Sequence, residues 1–135
     1  MGGEPVFITE EDRDLYHAAL AGAANHLITL VAQAADLLRA AGVTDPARLL
    51  GPLLSASLDN ALLLGDAGLT GPVARGDAET VAAHLAALGA AASASPAAVA
   101  AYIAMARLTA DRALAAGLLK PSDAERLLDV LGARP

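Results

Sequence analysis

Apolar and small residues recur at alternating steps of three and four in the first third of the chain, at positions 20, 24, 27, 31, 34, 38 and 41. This spacing places them along one side of a helix that packs against other helices. Thr9 followed by Asp12 suggests a capping box at the start, and Gly42 is a typical residue after a helix end. The sequence therefore predicts a helix over residues 10–41, about 48 Å long.

Four more helices are predicted from residues that commonly begin and end helices, and residues 66–76 form the longest irregular stretch between them. The predicted helices are a second from Asp45-Pro46 to residue 64 with Gly65 behind it, a third from an Asp77 N-cap to residues 88–92, a fourth from Ser95-Pro96 to Gly117, and a fifth from a Ser122–Glu125 capping box to residue 131.

Composition supports an all-helical reading. Ala supplies 36 and Leu 24 of the 135 residues, and both are strong helix formers. Aromatic residues make up only 2% of the chain, so an all-β fold such as a β-sandwich or barrel is not expected. We expect one all-α domain over residues 1–135, a bundle of about five helices around one long N-terminal helix.

Charge and residue usage exclude several classes of protein. The net charge of −6 argues against a nucleic-acid partner, which needs a basic face. The chain has no Cys, so disulfides and thiolate metal sites are excluded, and a reducing cytoplasm fits this usage. The three histidines lack metal-ligand spacing, so no metal site is expected.

A membrane helix is considered because residues 15–35 carry no formal charge. The span contains His17, Asn25, His26 and Gln33, and most of its apolar residues are Ala, which gains little in lipid. The N-terminus also lacks the basic start of a signal peptide. We therefore expect a soluble cytoplasmic protein with no membrane partner.

Residues 71–77, GPVARGD, nearly match a phosphate-binding loop, since two glycines stand five apart before a predicted helix. Asp77 occupies the position where such a loop needs Lys, so a nucleotide site is rejected. The Arg-Gly-Asp tripeptide within it is interpreted as a turn followed by an N-cap rather than an adhesion signal. No G-x-G-x-x-G occurs, so we expect no cofactor site and no Rossmann domain in this chain.

Two polar residues on the first helix are candidates for chemistry. His17 and Asn25 are eight residues apart and lie within about 80° of each other around a helix. An imidazole and an amide in one cleft could give a bound oxygen a proton and a hydrogen bond. The alternative is that both are buried polar groups that fix helix register. His26 and His84 are weaker candidates.

Two segments carry a resemblance to a known family. The start, GGEPVFITEEDRDLYHAALAGAANHL, and the motif L-T-G-P-x-x-R-G-D at residues 69–77, followed by His84, resemble a helical C-terminal domain of unknown function. That domain occurs in Rossmann-like bacterial oxidoreductases related to ketopantoate reductase and, more remotely, to 6-phosphogluconate dehydrogenase. There an N-terminal Rossmann domain binds NADP, and the helical domain completes the active site and usually forms the dimer.

The resemblance implies roles for individual residues. Ketopantoate reductases carry a Lys and two Asn spaced by four on the long helix, and these positions are His17, Ala21 and Asn25 here. A His could still protonate an alkoxide near neutral pH, but the loss of Lys leaves the reaction class open. The implied site combines His17 and Asn25 as catalytic residues with three substrate-binding residues in the same cleft: Asn60, Thr70 and Arg75.

Arg75 would bind a substrate carboxylate, because its planar guanidinium matches two oxygens. For Asn60 and Thr70 the alternative is a structural role, in hydrogen bonds at a helix end and in a loop. The two interpretations are left open here.

Two functional hypotheses follow. The first is the substrate-binding and dimerisation domain of an NAD(P)-dependent reductase of small 2-keto acids, inactive without its Rossmann domain, with NADP expected for the full-length parent. The second is a stand-alone helical dimerisation or protein-interaction module. A homodimer is expected in either case, because the apolar stripe of the long helix is too extensive for four other helices to cover. The expected interface is mostly apolar and larger than roughly 1,200 Å².

Overall fold

The computed structural model describes Gly3 and residues 5–132, and within them the chain is all-α with no strand, which confirms the predicted fold class. The elements are a 3-10 turn at Glu10–Asp12, α1 (Arg13–Ala40), α2 (Pro46–Leu64), a 3-10 turn at Gly65–Gly68, α3 (Ala78–Ala90), α4 (Ala98–Ala115) and α5 (Pro121–Gly132). The chain forms two compact units, and the division between Ala34 and Ala35 falls within α1.

Three helix starts differ from the prediction. The Thr9 hydroxyl donates to the Asp12 carboxylate at 2.9 Å but caps no backbone N–H, so the predicted capping box is not formed and a 3-10 turn precedes α1. Ser122 lies inside α5, which begins at Pro121, because proline has no N–H to leave unsatisfied in a first turn.

The fourth helix also begins later than expected, at Ala98 rather than at Ser95-Pro96. A turn precedes it, in which the Ala98 N–H donates to the Ser95 carbonyl at 3.1 Å. The predicted helix ends agree better. Gly42 follows α1 with a φ of 95°, a conformation that glycine adopts without strain. The other two predicted glycines follow α2 and α4: Gly65 and Gly117.

The buried core lies in the second unit, where α3, α4 and α5 pack against one another. Its members are small or aliphatic, and alanines dominate on α4. Short side chains let neighbouring helices approach closely, which suits a chain with few aromatic residues. The core residues are Ala74, Val81, Ala106, Ala110, Ala113, Leu119, Ala124, Leu127 and Leu131.

Two contacts hold the 3-10 turn Gly65–Gly68 within the second unit. Arg112 on α4 donates to the Asp66 carboxylate at 2.7 Å. Gly68 approaches the end of α2 so closely that an added Cβ would lie 3.2 Å from the backbone oxygen of Asn60. The segment that leads from α2 towards α3 is therefore fixed by an ion pair and by backbone packing.

The helix α1 contains no buried residue. Along its predicted apolar seam Leu20 and Leu27 are exposed, whereas Val31 and Leu38 are partly buried. The spacing correctly predicts one long helix, but the seam is not buried within the single chain. Periodicity identifies residues that share a side of a helix and does not identify what covers that side.

One helical span, Glu10–Ala40, is long and apolar enough to cross a membrane by length and composition. None of its most apolar window is buried, and the span includes polar side chains such as Asn25 and Gln33 that are costly in lipid. Length and hydropathy alone are weak evidence, because helices of other kinds meet the same criteria. The expectation of a protein without a membrane partner stays a prediction.

Among the described glycines, Gly76 leaves the least room for a side chain. It is buried, its φ is 71°, and an added Cβ would lie 2.6 Å from the Asp123 Cβ and 3.1 Å from a Leu119 methyl group. We expect Gly76→Ala to lower the free energy of unfolding by about 2 to 4 kcal/mol, from backbone strain and overpacking together. Urea unfolding followed by circular dichroism measures the change.

Gly89→Ala is the matched control, since Gly89 lies in α3 and an added Cβ there would meet nothing within 4 Å. Alanine at that position is expected to be neutral or to stabilise by up to about 1 kcal/mol. Equal unfolding free energies for the wild type and Gly76→Ala would contradict the proposed packing of this turn.

Candidate functional site

The motif at residues 69–77 forms a tight turn in front of α3. Within it the Arg75 N–H donates to the Gly71 carbonyl at 3.1 Å, and the Asp77 N–H donates to the Pro72 carbonyl at 2.8 Å. Ala74 belongs to the buried core. Much of the motif is therefore explained by the need to close this turn and to place it on the core.

Asp77 caps α3, as the sequence predicts. One carboxylate oxygen accepts the Thr80 backbone N–H at 3.1 Å, and the other accepts the Thr80 hydroxyl at 2.7 Å. These two hydrogen bonds lower the pKa of Asp77, the charges of Arg75 and His84 add to this effect, and desolvation opposes it. Both oxygens of this carboxylate are thus engaged by one neighbour.

Thr70 and Arg75 differ from the rest of the motif. Both are exposed, and among the described residues neither side chain makes a hydrogen bond or an ion pair. The structural alternative for Thr70, a side-chain hydrogen bond within the loop, is therefore not observed there. A guanidinium without an acceptor next to a rigid turn is available to an incoming anion.

His84 and Tyr102 form a pair between α3 and α4. The His84 Nδ1 and the Tyr102 hydroxyl oxygen are 3.0 Å apart, and the two rings meet edge to face with centroids 5.9 Å apart. Partial burial raises the pKa of Tyr102. Since seven residues advance a helix by almost two turns, His84 lies within about 20° of Asp77 on the same side of α3.

Sequence reasoning identified His84 only as a motif member and weak candidate, and it missed Tyr102. A signal was available, because Tyr102 is one of two tyrosines in the chain and stands among alanines on α4. Its partner is 18 residues away, however, and no helical spacing connects two residues on different helices.

The predicted residues of α1 are exposed. The Asn25 side-chain amide donates to the Ala21 carbonyl of its own helix at 2.9 Å, and no hydrogen bond joins it to His17 among the described residues. The alternative interpretation of these two residues, as buried polar groups, does not hold in the single chain. Both side chains are therefore accessible to a ligand, but exposure by itself is not evidence that a ligand binds there.

Asn60, the remaining predicted residue, lies exposed on α2. It contacts the Gly68 region through its backbone and Cβ, and among the described residues its amide makes no hydrogen bond. His17 and Asn25 lie in the first compact unit, and Asn60, Thr70 and Arg75 lie in the second. The expectation that all five line one cleft stays a prediction.

In the part of the chain that the structure describes, no group of three or more His, Cys, Asp or Glu side chains is placed to hold a metal ion. The chemically versatile groups of the second unit are instead Arg75, Asp77, His84 and Tyr102, which combine a fixed cation, a carboxylate, an imidazole and a phenol.

The Asp77 cap makes the free energy of unfolding depend on pH. Because its pKa is lowered on folding, its contribution is present above the unfolded pKa and is lost as the pH falls through the folded value. We expect Asp77→Asn, which has one acceptor oxygen and no charge, to be less stable than wild type at pH 7 and the difference to shrink between about pH 5 and pH 2, as the wild-type carboxylate is protonated. Urea unfolding across that range provides the measurement.

Asp129→Asn is the matched control, because Asp129 is exposed on α5 and makes no hydrogen bond among the described residues. It should lose stability on acidification as the wild type does. If Asp77→Asn also follows the wild-type curve, the charge of Asp77 does not contribute to the stability of α3.

Comparison with known proteins gives one family. The family model described as "Domain of unknown function (DUF2520)" matches residues 1–109, from the N-terminus into α4. No curated protein and no solved structure matches significantly. The match includes both segments on which the resemblance above depends and covers most of the chain. The chain therefore belongs to the DUF2520 family of domains of unknown function.

Proposed function

We propose that this chain is the substrate-binding and dimerisation domain of an NAD(P)-dependent oxidoreductase that reduces a small 2-keto acid. In this proposal a Rossmann domain supplies the nicotinamide cofactor, and the helical chain alone is inactive. The observation that carries the proposal is that α1 and α2 each expose several large apolar side chains, which indicates helices that are covered by other protein.

The exposed apolar side chains are numerous on both helices. Twelve large apolar or aromatic side chains of α1 and α2 are exposed, and Leu62 and Leu63 are 80% and 82% exposed. Burial of apolar surface is the main favourable contribution when protein chains associate, so exposed side chains of this kind favour assembly with other protein. The twelve are Leu15, Tyr16, Leu20, Leu27, Ile28, Leu30, Leu49, Leu53, Leu58, Leu62, Leu63 and Leu64.

A substrate-binding role is supported by the residues that the fold does not use. In the motif, Gly76 and Asp77 have clear structural roles, whereas Thr70 and Arg75 are exposed without a side-chain partner among the described residues. Arg75 would hold the substrate carboxylate with two parallel hydrogen bonds. His17 and Asn25 would act on the carbonyl oxygen, as the resemblance to ketopantoate reductase implies.

The sequence of this chain is consistent with a role in binding substrate and not cofactor. It lacks the glycine-rich turn that binds a dinucleotide pyrophosphate, so the proposal assigns NADP to the Rossmann domain. The bound nicotinamide would supply hydride to the substrate carbon. This chain would bind and orient the substrate and deliver a proton to its oxygen.

A stand-alone dimerisation or protein-interaction module is the second candidate. The same exposed surface favours it, because an assembly module needs an apolar face and no catalytic group. The two candidates differ in the side chains near the motif, which only the oxidoreductase requires.

The proposed homodimer is tested by light scattering on the purified chain at micromolar concentration. A mass of twice 13.4 kDa is expected, because the leucines of α2 would otherwise remain in water. The double variant Leu62→Gln and Leu63→Gln should weaken the dimer at least ten-fold. Leu108→Gln, at an exposed leucine of α4, is the matched control and should leave dimerisation unchanged.

A monomer of 13.4 kDa would contradict the dimer. A chain that sediments with phosphatidylcholine vesicles instead of dimerising would assign the apolar surface of α1 to a membrane. Circular dichroism of each variant checks that the polar substitutions have left the helices intact.

The proposed reaction is tested on the full-length gene product that contains this chain, by nicotinamide absorbance with NADPH and a panel of 2-keto acids. Turnover is expected, and His17→Ala should reduce kcat by about 100-fold or more if His17 donates the proton. Full activity in His17→Ala would remove His17 from the mechanism. No turnover with any member of the panel, together with a stable dimer, would favour the interaction module.

A further inference from the structure

The helix α2 carries two charged residues, Arg48 near its start and Asp59 towards its end. Both are exposed, and among the described residues neither makes an ion pair. Eleven residues separate them, which is about three helical turns or about 16 Å. They therefore lie within about 20° of each other around the helix but too far apart to pair with each other. One face of α2 presents a cation and an anion that both lack a partner in this part of the chain.

The position of Arg48 is unfavourable within a single helix. It lies in the first turn of α2, where the helix dipole favours acidic side chains and disfavours basic ones, and that turn contains no acid. Asp45, three residues earlier, is not within ion-pair distance of it. A cation that is unfavourable in its own helix and unpaired in the described chain indicates an acidic partner on another molecule.

The face with the two charges lies opposite the side of α2 that the chain itself covers. On the covered side Pro46 is buried, and Leu50 and Leu54 are partly buried. Leu62 and Leu63 lie about 50° on either side of the line that joins the two charges. They are the most exposed leucines in the described part of the chain. The charged face therefore ends in the apolar side chains that would gain most from being covered.

A two-fold axis through the middle of this face would pair both charges at once. When two copies of one helix cross antiparallel about such an axis, residues equally distant from the centre on opposite sides face each other. With the axis halfway between Arg48 and Asp59, each Arg48 faces the partner's Asp59. The residues at the crossing are small, which permits close approach of the two helix axes. They are Gly51, Pro52, Ser55 and Ala56.

We propose that two copies of this chain pair through α2, antiparallel about a two-fold axis at the centre of the charged face, with each Arg48 facing the partner's Asp59. The pairing rests on the dimerisation part of the proposed function, and it assigns that dimer a helix, a direction and a register. Exposed ion pairs contribute little to affinity, so burial of Leu62 and Leu63 drives association and the two charge pairs select the register.

Charge reversal with light scattering at micromolar concentration tests this pairing. In Arg48→Glu two acids face each other at both ends of the crossing, and in Asp59→Arg two arginines do. Each variant should weaken the dimer at least ten-fold. Lys120→Glu and Asp129→Arg, at exposed positions outside α2, are the matched controls and should leave dimerisation unchanged.

Mixing the two variants tests the register itself. In a mixed dimer every facing pair has opposite charges again, because the new acid of one chain meets the new base of the other and the unchanged Asp59 meets the unchanged Arg48. We expect the equimolar mixture to dimerise within about three-fold of the wild-type affinity, although neither variant does so alone. Isotope labelling of one variant identifies the mixed dimer by native mass spectrometry. A chain that carries both changes should also dimerise.

Circular dichroism of each variant verifies that the helices are intact. If a reversal disturbs folding, Arg48→Gln and Asp59→Asn replace the two variants, and each should weaken the dimer about three-fold.

The outcomes separate this pairing from the proposed function. Wild-type affinity in both reversal variants would overturn the α2 pairing and leave the dimer in place on another surface. Weakened dimers that mixing does not restore would overturn the antiparallel register. A monomeric wild-type chain would overturn the pairing and the proposed dimer together. Restoration by mixing, without any NADPH oxidation by the full-length gene product, would support the pairing and reject the oxidoreductase.

Discussion

The Gly76–Asp77 step, where the motif turn ends and α3 begins, is the constraint on which the second unit depends. Gly76 packs its backbone against Asp123 and Leu119, and the next residue caps α3. Gly76 therefore contacts α5 and the segment that leads into it. Asp77 begins α3, the helix that places Val81 in the core. Because a Cβ cannot fit at Gly76, the turn and the helix packing are fixed together.

The Gly76–Asp77 step also separates the motif residues that serve the fold from Arg75, which stays exposed. Once Asp77 is committed to Thr80, its charge is held at the start of α3, where it also favours the helix dipole. Arg75, two residues before Asp77, is exposed, and among the described residues its guanidinium makes no ion pair. The turn thus serves the fold through Gly76 and Asp77 and leaves the cation of Arg75 exposed beside them.

Local signals predicted the fold well, because helix starts and ends depend on a few neighbouring residues. The Asp77 cap and the glycine after α1 were identified correctly from sequence, whereas the Thr9 and Ser122 capping boxes were not. Those two failures have a common cause. A serine or threonine three residues before an acid also fits a 3-10 turn or an interior position when a proline or another backbone bond begins the helix.

Packing between helices that are distant in the chain could not be predicted from the sequence. The spacing along α1 identified an apolar side, but nothing in it says whether that side is covered by the same chain, by a second copy or by another domain. In the single chain no residue of α1 is buried, while the Ala-rich α4 supplies four buried residues. Ala packs against close neighbours inside the unit, and the larger leucines of α1 and α2 stay outside it. Large side chains gain the most free energy from burial. The hydrophobic free energy that this chain could still gain by covering its exposed side chains is therefore greatest on α1 and α2, the two helices that precede the motif.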